Sequence, residues 1–325
     1  MRFIRSNVWL LFLAGFLAIF PLIFPLLSFV NIVSEMLIMG LFAVSLNLLI
    51  GYTGIISFGH AAFFAVGSYT VGIMLQKLSG SLPLAIPSVL LCAMIFSGIA
   101  ALVIGYFCTR LTAIYFSFLT LAFSQIVYAI IIKWASFTGG DQGLIGGIPK
   151  PPIPFFGVSI DMTSPFSLYY LCVVSTILSF FLLRVIIDSP FGWILRSIRD
   201  NPERINFLGI NVKRYQIIVF IISGIFTGLA GGLMALHLSG SYPDHAHWAK
   251  NAEPIFMIMV GGLKIFAGPI LGSIIVTQLS AYLSSYIEMR GLIFGGILVL
   301  LLMISREGIL DVLTAKWGAL KRIFS

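Results

Sequence analysis

The feature that most restricts this chain is the recurrence of unbroken apolar runs long enough to cross a bilayer. Residues 84–109, 167–187 and 216–238 together carry a single charged residue, Arg184. About 20 apolar residues span the hydrocarbon core as a helix. In lipid the backbone must satisfy its own hydrogen bonds, which leaves helices or a closed barrel. The runs are continuous rather than alternating, and that excludes the barrel. Composition agrees: at 59% hydrophobic and 9% charged over 325 residues, the chain has too few polar groups to coat a soluble domain.

The predicted fold is therefore all-α, a polytopic membrane protein with residues 1–325 forming a single transmembrane domain. About ten spans are expected, near 8–30, 32–50, 54–76, 84–109, 112–132, 167–187, 216–238, 252–265, 267–287 and 291–305. The third, eighth and ninth carry Gly, Pro and polar residues, a pattern that suits broken or re-entrant helices. Met1–Phe24 is a basic head followed by an apolar run. No small-residue cleavage motif follows it, so an uncleaved first helix is expected. Cys92, Cys108 and Cys172 lie in apolar runs and read as small core residues rather than a disulfide set.

Charge gives the orientation. Arg2 and Arg5, then Arg110, then Arg196, Arg199, Arg204, Lys213 and Arg214, and finally Lys316, Lys321 and Arg322 fall on one side of a ten-span chain. The positive-inside rule makes that side, with both termini, cytosolic. The Gly- and Pro-rich segment 134–166 then forms a structured outer loop. The net charge of +8 reflects this topology. No dense basic stripe interleaved with aromatics is present, which argues against nucleic acid.

Reactive constellations are missing. There is no Gly-x-x-x-x-Gly-Lys-Ser/Thr loop, no paired carboxylates and no His-Glu-x-x-His. The chain is expected not to be an enzyme and to hold no ATP or metal of its own. His237, His245 and His247 flank Tyr242-Pro243-Asp244 in an outer loop, without a second cluster to complete a metal site. Buried acids and His relays of the kind proton-coupled carriers need are scarce.

Against this apolar background the segment Ser189–Ile210 is a charged island. Ser189-Pro190 and Asn201-Pro202 are both cap-and-first-turn pairs. Phe191, Ile194, Leu195 and Ile198 make one apolar helical face between them. Glu203 sits at the positive end of the second helix, and Gly209 is a natural stop. Two short helices with a sharp joint are predicted. Helices this short are unstable alone and must pack on something. Lipid headgroups and a partner's groove both fit the pattern. In a groove, Phe207 and Leu208 supply apolar surface, and Arg199, Asp200, Glu203 and Arg204 set the register.

The second informative stretch is Asn47–Thr70. Gly51, Gly54, Gly59 and Gly67 permit close helix approach or a broken helix. Asn47, Ser57 and His60 bring polar groups into the membrane zone, where they need partners. Free backbone at such a break can bind an amino or carboxyl group. Asn47, Ser57, Gly59 and His60, with Gln125 in the fifth span, are the candidate substrate path. Ordinary packing of small residues and a structural hydrogen bond at His60 fit the same residues. Glu35, near the start of the second span, reads as solvated at the interface. Gly261–Ser273 is a weaker Gly-rich echo, with Lys264 snorkelling.

Gly51-Tyr52-Thr53-Gly54, Gly59-His60-Ala61-Ala62-Phe63-Phe64 and Gly67-Ser68-Tyr69 together resemble the permease subunits of branched-chain amino acid ABC importers, in particular the M-type member of the permease pair. Thr138–Leu144, the island's Gly192, Arg196, Ile198-Arg199, Asn201 and Leu208–Val212, and Gly261-Gly262 with Gly268–Gly272 extend the resemblance over about residues 35–305. It implies a pore-forming subunit in a bacterial cytoplasmic (inner) membrane. The implied partners are an H-type permease or a second copy, two cytosolic ATPases that hydrolyse ATP, an external solute-binding protein and membrane lipid. It casts loop 188–215 as the cytosolic coupling element, through Arg196, Arg199, Asp200, Asn201, Glu203, Arg204, Phe207, Leu208 and Gly209. Importers of urea and short-chain amides have closely similar permeases, and a stand-alone secondary carrier is the further alternative. Lys264-Ile265 and Asn206-Phe207 depart from the family pattern.

Overall fold

The computed structural model describes residues 2–23, 26–78, 85–111, 113–144, 147–155, 158–286, 295–296, 308 and 310. Its helices are α1 (Arg2–Ile23), α2 (Leu27–Thr53), α3 (His60–Ile73, continued by a π turn at Met74–Leu78), α4 (Ile86–Cys108), α5 (Ala113–Lys133), α6 (Ala135–Thr138), α7 (Pro165–Asp188), α8 (Pro190–Asp200), α9 (Pro202–Phe207), α10 (Val212–Leu238), α11 (Trp248–Gly261) and α12 (Gly268–Tyr286). A two-stranded antiparallel hairpin, β1 (Ile153–Phe155) with β2 (Val158–Ile160), is a small exception to the all-α expectation.

Six helices among the described residues are long and apolar enough to cross a membrane: α2, α3 with its π turn, α4, α5, α7 and α10. The predicted tenth span, 291–305, and the terminal Lys316, Lys321 and Arg322 lie outside the described residues apart from 295–296. The first boundary shifts. The chain turns at extended Leu26, so α2 begins at 27 rather than 32 and Glu35 lies two turns inside it. The third span is helical only from His60; residues 54–59 are not helix. The eighth, α11, has 14 residues. At 1.5 Å per residue that is roughly 21 Å, short of the ~30 Å core.

α10 is the central helix and packs on α2, α3 and α4; α12 packs on α2 and α11, and α1 lies against α7. Lipid supplies no hydrophobic drive between helices, so close backbone approach must hold them. At the α3–α10 crossing a Cβ on Gly67 would fall within the backbone of Gly228. Gly67→Val should therefore force the pair apart, costing about 1–3 kcal/mol or more. A thermal unfolding scan in detergent should show a lower midpoint for Gly67→Val and none for Gly15→Ala, where the added Cβ meets nothing within 4 Å.

Segment 134–166 carries α6, a 3-10 turn at Gly140–Gln142 and the hairpin. Leu144 N–H donates to Ser241 O at 2.8 Å and Ile148 N–H to Ser239 O at 3.2 Å, which straps the segment across the end of α10. The three cysteines are unpaired, with Cys108 and Cys172 buried.

Candidate functional site

α2 ends at Gly54 in the left-handed region, and the chain then runs irregularly to His60. Exposed backbone at membrane depth is tolerated only where the protein satisfies it. Here side chains from two other helices, α5 and α11, do so. Ser117 of α5 donates to Ile56 O at 2.6 Å. Phe58 N–H donates to Thr120 Oγ1 of the same helix at 3.2 Å. Asn251 of α11 donates to Ser57 O at 3.1 Å and accepts from Ala61 N–H at 3.1 Å. A Cβ on Gly59 would collide with the Thr120 carbonyl, so only glycine lets α5 approach this closely.

His60, fully buried at the start of α3, lies at the centre. Its Nδ1 is 2.9 Å from Ser57 Oγ and its Nε2 is 2.8 Å from Ser223 Oγ on α10. Ser223 already donates its proton to Ser45 O at 2.6 Å, so it accepts from Nε2–H. Nδ1 then accepts from Ser57 O–H, which leaves the ring neutral and fully partnered. Phe63 and Phe220 close edge-on over it, with ring centroids 5.2 and 5.3 Å away.

The candidate path residues separate. Ser57, Gly59 and His60 form this break. Asn47 lies below it on α2, where Nδ2 reaches Leu263 O at 3.4 Å in the turn between α11 and α12. Gln125 on α5 is not joined to the network; its Nε2 is buried without a partner. Ser45, Ser117, Thr120, Ser223 and Asn251 escaped the sequence reading as path residues. Their one signal is a small polar side chain inside or beside an apolar run.

The charged island folds as the two short helices expected from sequence, with α8 and α9 meeting at Asn201. Asn201 Oδ1 accepts from Arg204 N–H at 2.9 Å. Gly209 follows α9 with φ +83°. Ser189 occupies the cap position of α8 but does not cap it: its hydroxyl donates back to Ile186 O at 2.6 Å. Ile198, Ile205 and Val212 form a small core for the elbow. Asp200, Glu203 and Arg204 face solvent, and Phe207 and Leu208 are 91% and 70% exposed.

Arg196 and Arg199 are held within the chain. Arg199 Nη1 donates to Gly51 O at 2.6 Å, one of the open carbonyls at the C-terminal end of α2. Arg196 lies over the Tyr52 ring, 5.3 Å from its centroid, and 4.0 Å from Asp188, which also pairs with Arg184 at 2.8 Å. The elbow is thus fastened to the residues just ahead of the break.

A family model described as the permease component of branched-chain amino acid transport systems matches residues 28–304. The chain belongs to this family. The permease is similar to the high-affinity branched-chain amino acid transport system permease protein LivM of Salmonella typhimurium, 25% identical over 300 residues that cover 86% of this chain and 69% of the relative. The Escherichia coli LivM is 26% identical over 315 residues, covering 90% and 73%. A probable LivH permease of Methanocaldococcus jannaschii is 26% identical over 303 residues, covering 88% and 91%. No solved structure matches the permease. Elbow and break both fall within the matched region.

The segment after α10, read from sequence as an outer loop, is largely buried in the permease. His245 is 6% exposed, and its Nδ1 lies 3.0 Å from Ser68 Oγ on α3. Ser241 Oγ donates to Ser68 O at 2.8 Å. Ser124 of α5 reaches Ala246 O at 3.2 Å. His237, in the last turn of α10, is separated from these residues along the chain, and no group of His, Cys, Asp and Glu suited to a metal forms among the described residues.

Proposed function

We propose that this permease forms one half of the pore of an ATP-driven importer for branched-chain amino acids. A second permease, two cytosolic ATPase subunits and an external binding protein complete it in the bacterial inner membrane. Both termini and the α8–α9 elbow face the cytosol, and the segment after α10 faces outward. The observation that carries this reading is the elbow: Phe207 and Leu208 project from a capped helix that is tied through Arg199 to the end of α2. Exposed aromatic and aliphatic side chains on a rigid, charged-flanked helix suit a groove in a soluble partner.

In this reading ATP is bound and hydrolysed on the partner subunits. Their closure moves α9, and the Arg199–Gly51 bond passes the displacement to the C-terminal end of α2. Residues 54–59 follow directly; Gly54 and Ile55 still bond back to Leu49 O, while Ile56, Ser57 and Phe58 are held by α5 and α11. A small shift of α2 therefore acts on a segment whose hydrogen bonds depend largely on neighbouring helices. Access alternates as the break changes partners.

The test is reconstitution in liposomes with the ATPases, the second permease and the binding protein. Leucine-loaded binding protein should stimulate ATP hydrolysis and leucine should accumulate inside. Leucine uptake by this chain alone, driven by an ion gradient without ATP, would overturn the reading in favour of a secondary carrier.

A further inference from the structure

An ion pair stands inside a chain that has few charges. Lys250 and Glu253 in the first turns of α11 form an ion pair, Nζ to Oε2 2.7 Å, with 19% and 40% of their side chains exposed. Glu35 of α2, partly buried, lies within electrostatic reach of both. The pair borders a cavity of about 510 Å³ that Tyr242, Asp244, His245 and His247 also line. His245 is neutral there: burial, with Lys250 adding to it, pushes its ring down to about 3.

The cavity's position gives it meaning. Asn251, the residue after Lys250, holds Ser57 O and Ala61 N–H of the break. The charge pair therefore stands within one helical turn of the residue that maintains the break. Charged groups in a membrane protein face the protein interior or a water-filled cavity rather than lipid, and this pair lines a cavity. Burying an ion pair costs desolvation that its own attraction repays only with good geometry and further hydrogen bonds. This pair opens instead onto a space large enough for a small solute.

We infer that Lys250 and Glu253 form a docking site for the zwitterionic head group of an α-amino acid on its way to the break. The ligand carries its carboxylate and ammonium on one carbon. Each can replace one partner of the existing pair: the carboxylate goes to Lys250 and the ammonium to Glu253. Two opposite charges exchange for two others, so no net charge is buried. A neutral solute such as urea cannot make this exchange. The inference rests on the importer reading above and adds a selection step for charge within the permease itself.

The experiment uses the complete importer in liposomes, radiolabelled leucine and three variants: Lys250→Gln, Glu253→Gln and the exchanged pair K250E/E253K. Each single variant should lower leucine uptake at saturating binding protein at least 10-fold. Subunit co-purification and the ATP hydrolysis stimulated by loaded binding protein should stay within twofold of wild type. The exchanged pair should recover part of the loss. Single variants that import leucine at the wild-type rate overturn the inference. So do variants in which uptake, assembly and hydrolysis fall in parallel, since that marks a structural ion pair. Failure of the unmodified importer to take up leucine would count instead against the importer reading.

Discussion

Replacing Phe207 and Leu208 together by Asp is expected to abolish ATP-driven uptake while the protein still inserts in the membrane. Phe207 is almost fully and Leu208 largely exposed in the isolated chain, so its own fold depends little on them. The elbow core of Ile198, Ile205 and Val212 is left intact, as is the Asn201 cap. Burial of the two side chains in a partner's groove contributes about 2 kcal/mol each. Losing about 4 kcal/mol weakens association roughly 10³-fold, before the added cost of desolvating two carboxylates. The measurements are co-purification of the ATPase subunits and leucine uptake in liposomes, with membrane yield and the unfolding midpoint as controls. Normal uptake with a retained ATPase would show that the elbow's exposed tip is not the docking element. A lipid-bound elbow gives a third pattern, with ATPase retained but the elbow released from vesicles.

The elbow was legible in sequence because its signals are local. Asn201-Pro202 and Gly209 act on backbone groups within three residues of themselves, and a cap works the same way wherever the helix packs. The break was legible only in part. Gly54, Gly59, Ser57 and His60 cluster within seven positions of the chain and announce an interruption. The residues that make it tolerable do not. Asn251 lies 190 positions from Ala61, and Ser223 lies 163 from His60. No local pattern distinguishes a serine that satisfies a distant carbonyl from one bonded to its own helix, as Ser45 Oγ is to Leu41 O. The segment after α10 misled for the opposite reason. Its His residues and Asp244 read as part of an outer loop, yet Ser241 and His245 are polar because they pair with Ser68 inside the fold. Arg196 and Arg199 show the same ambiguity on the island: charge in a loop suggests a partner, and here much of it is spent on the end of α2.

Asn251→Leu should be the most damaging single change in the membrane-embedded part of the permease. Leucine keeps asparagine's branched shape, but its methyl groups are bulkier than the amide atoms they replace, so some overpacking at this almost fully buried site adds to the loss. Ser57 O and Ala61 N–H each lose the only partner given to them by α11. An unmet buried backbone group costs about 1–3 kcal/mol. Membrane interiors soften such losses, to about 0.6 kcal/mol per bond where other partners are found. At the break few others exist, because the neighbouring amides and carbonyls are already bonded to Ser117, Thr120 and Ser57. A loss of about 2–4 kcal/mol is therefore expected, seen as a lower unfolding midpoint in detergent and slower uptake. Thr120→Val removes a single acceptor, from Phe58 N–H, and should cost about half as much. Stability near wild type for Asn251→Leu, with Thr120→Val the worse of the two, would mean that α5 alone supports residues 54–59. The partners that the break exchanges as access alternates would then lie on α5 rather than on α11.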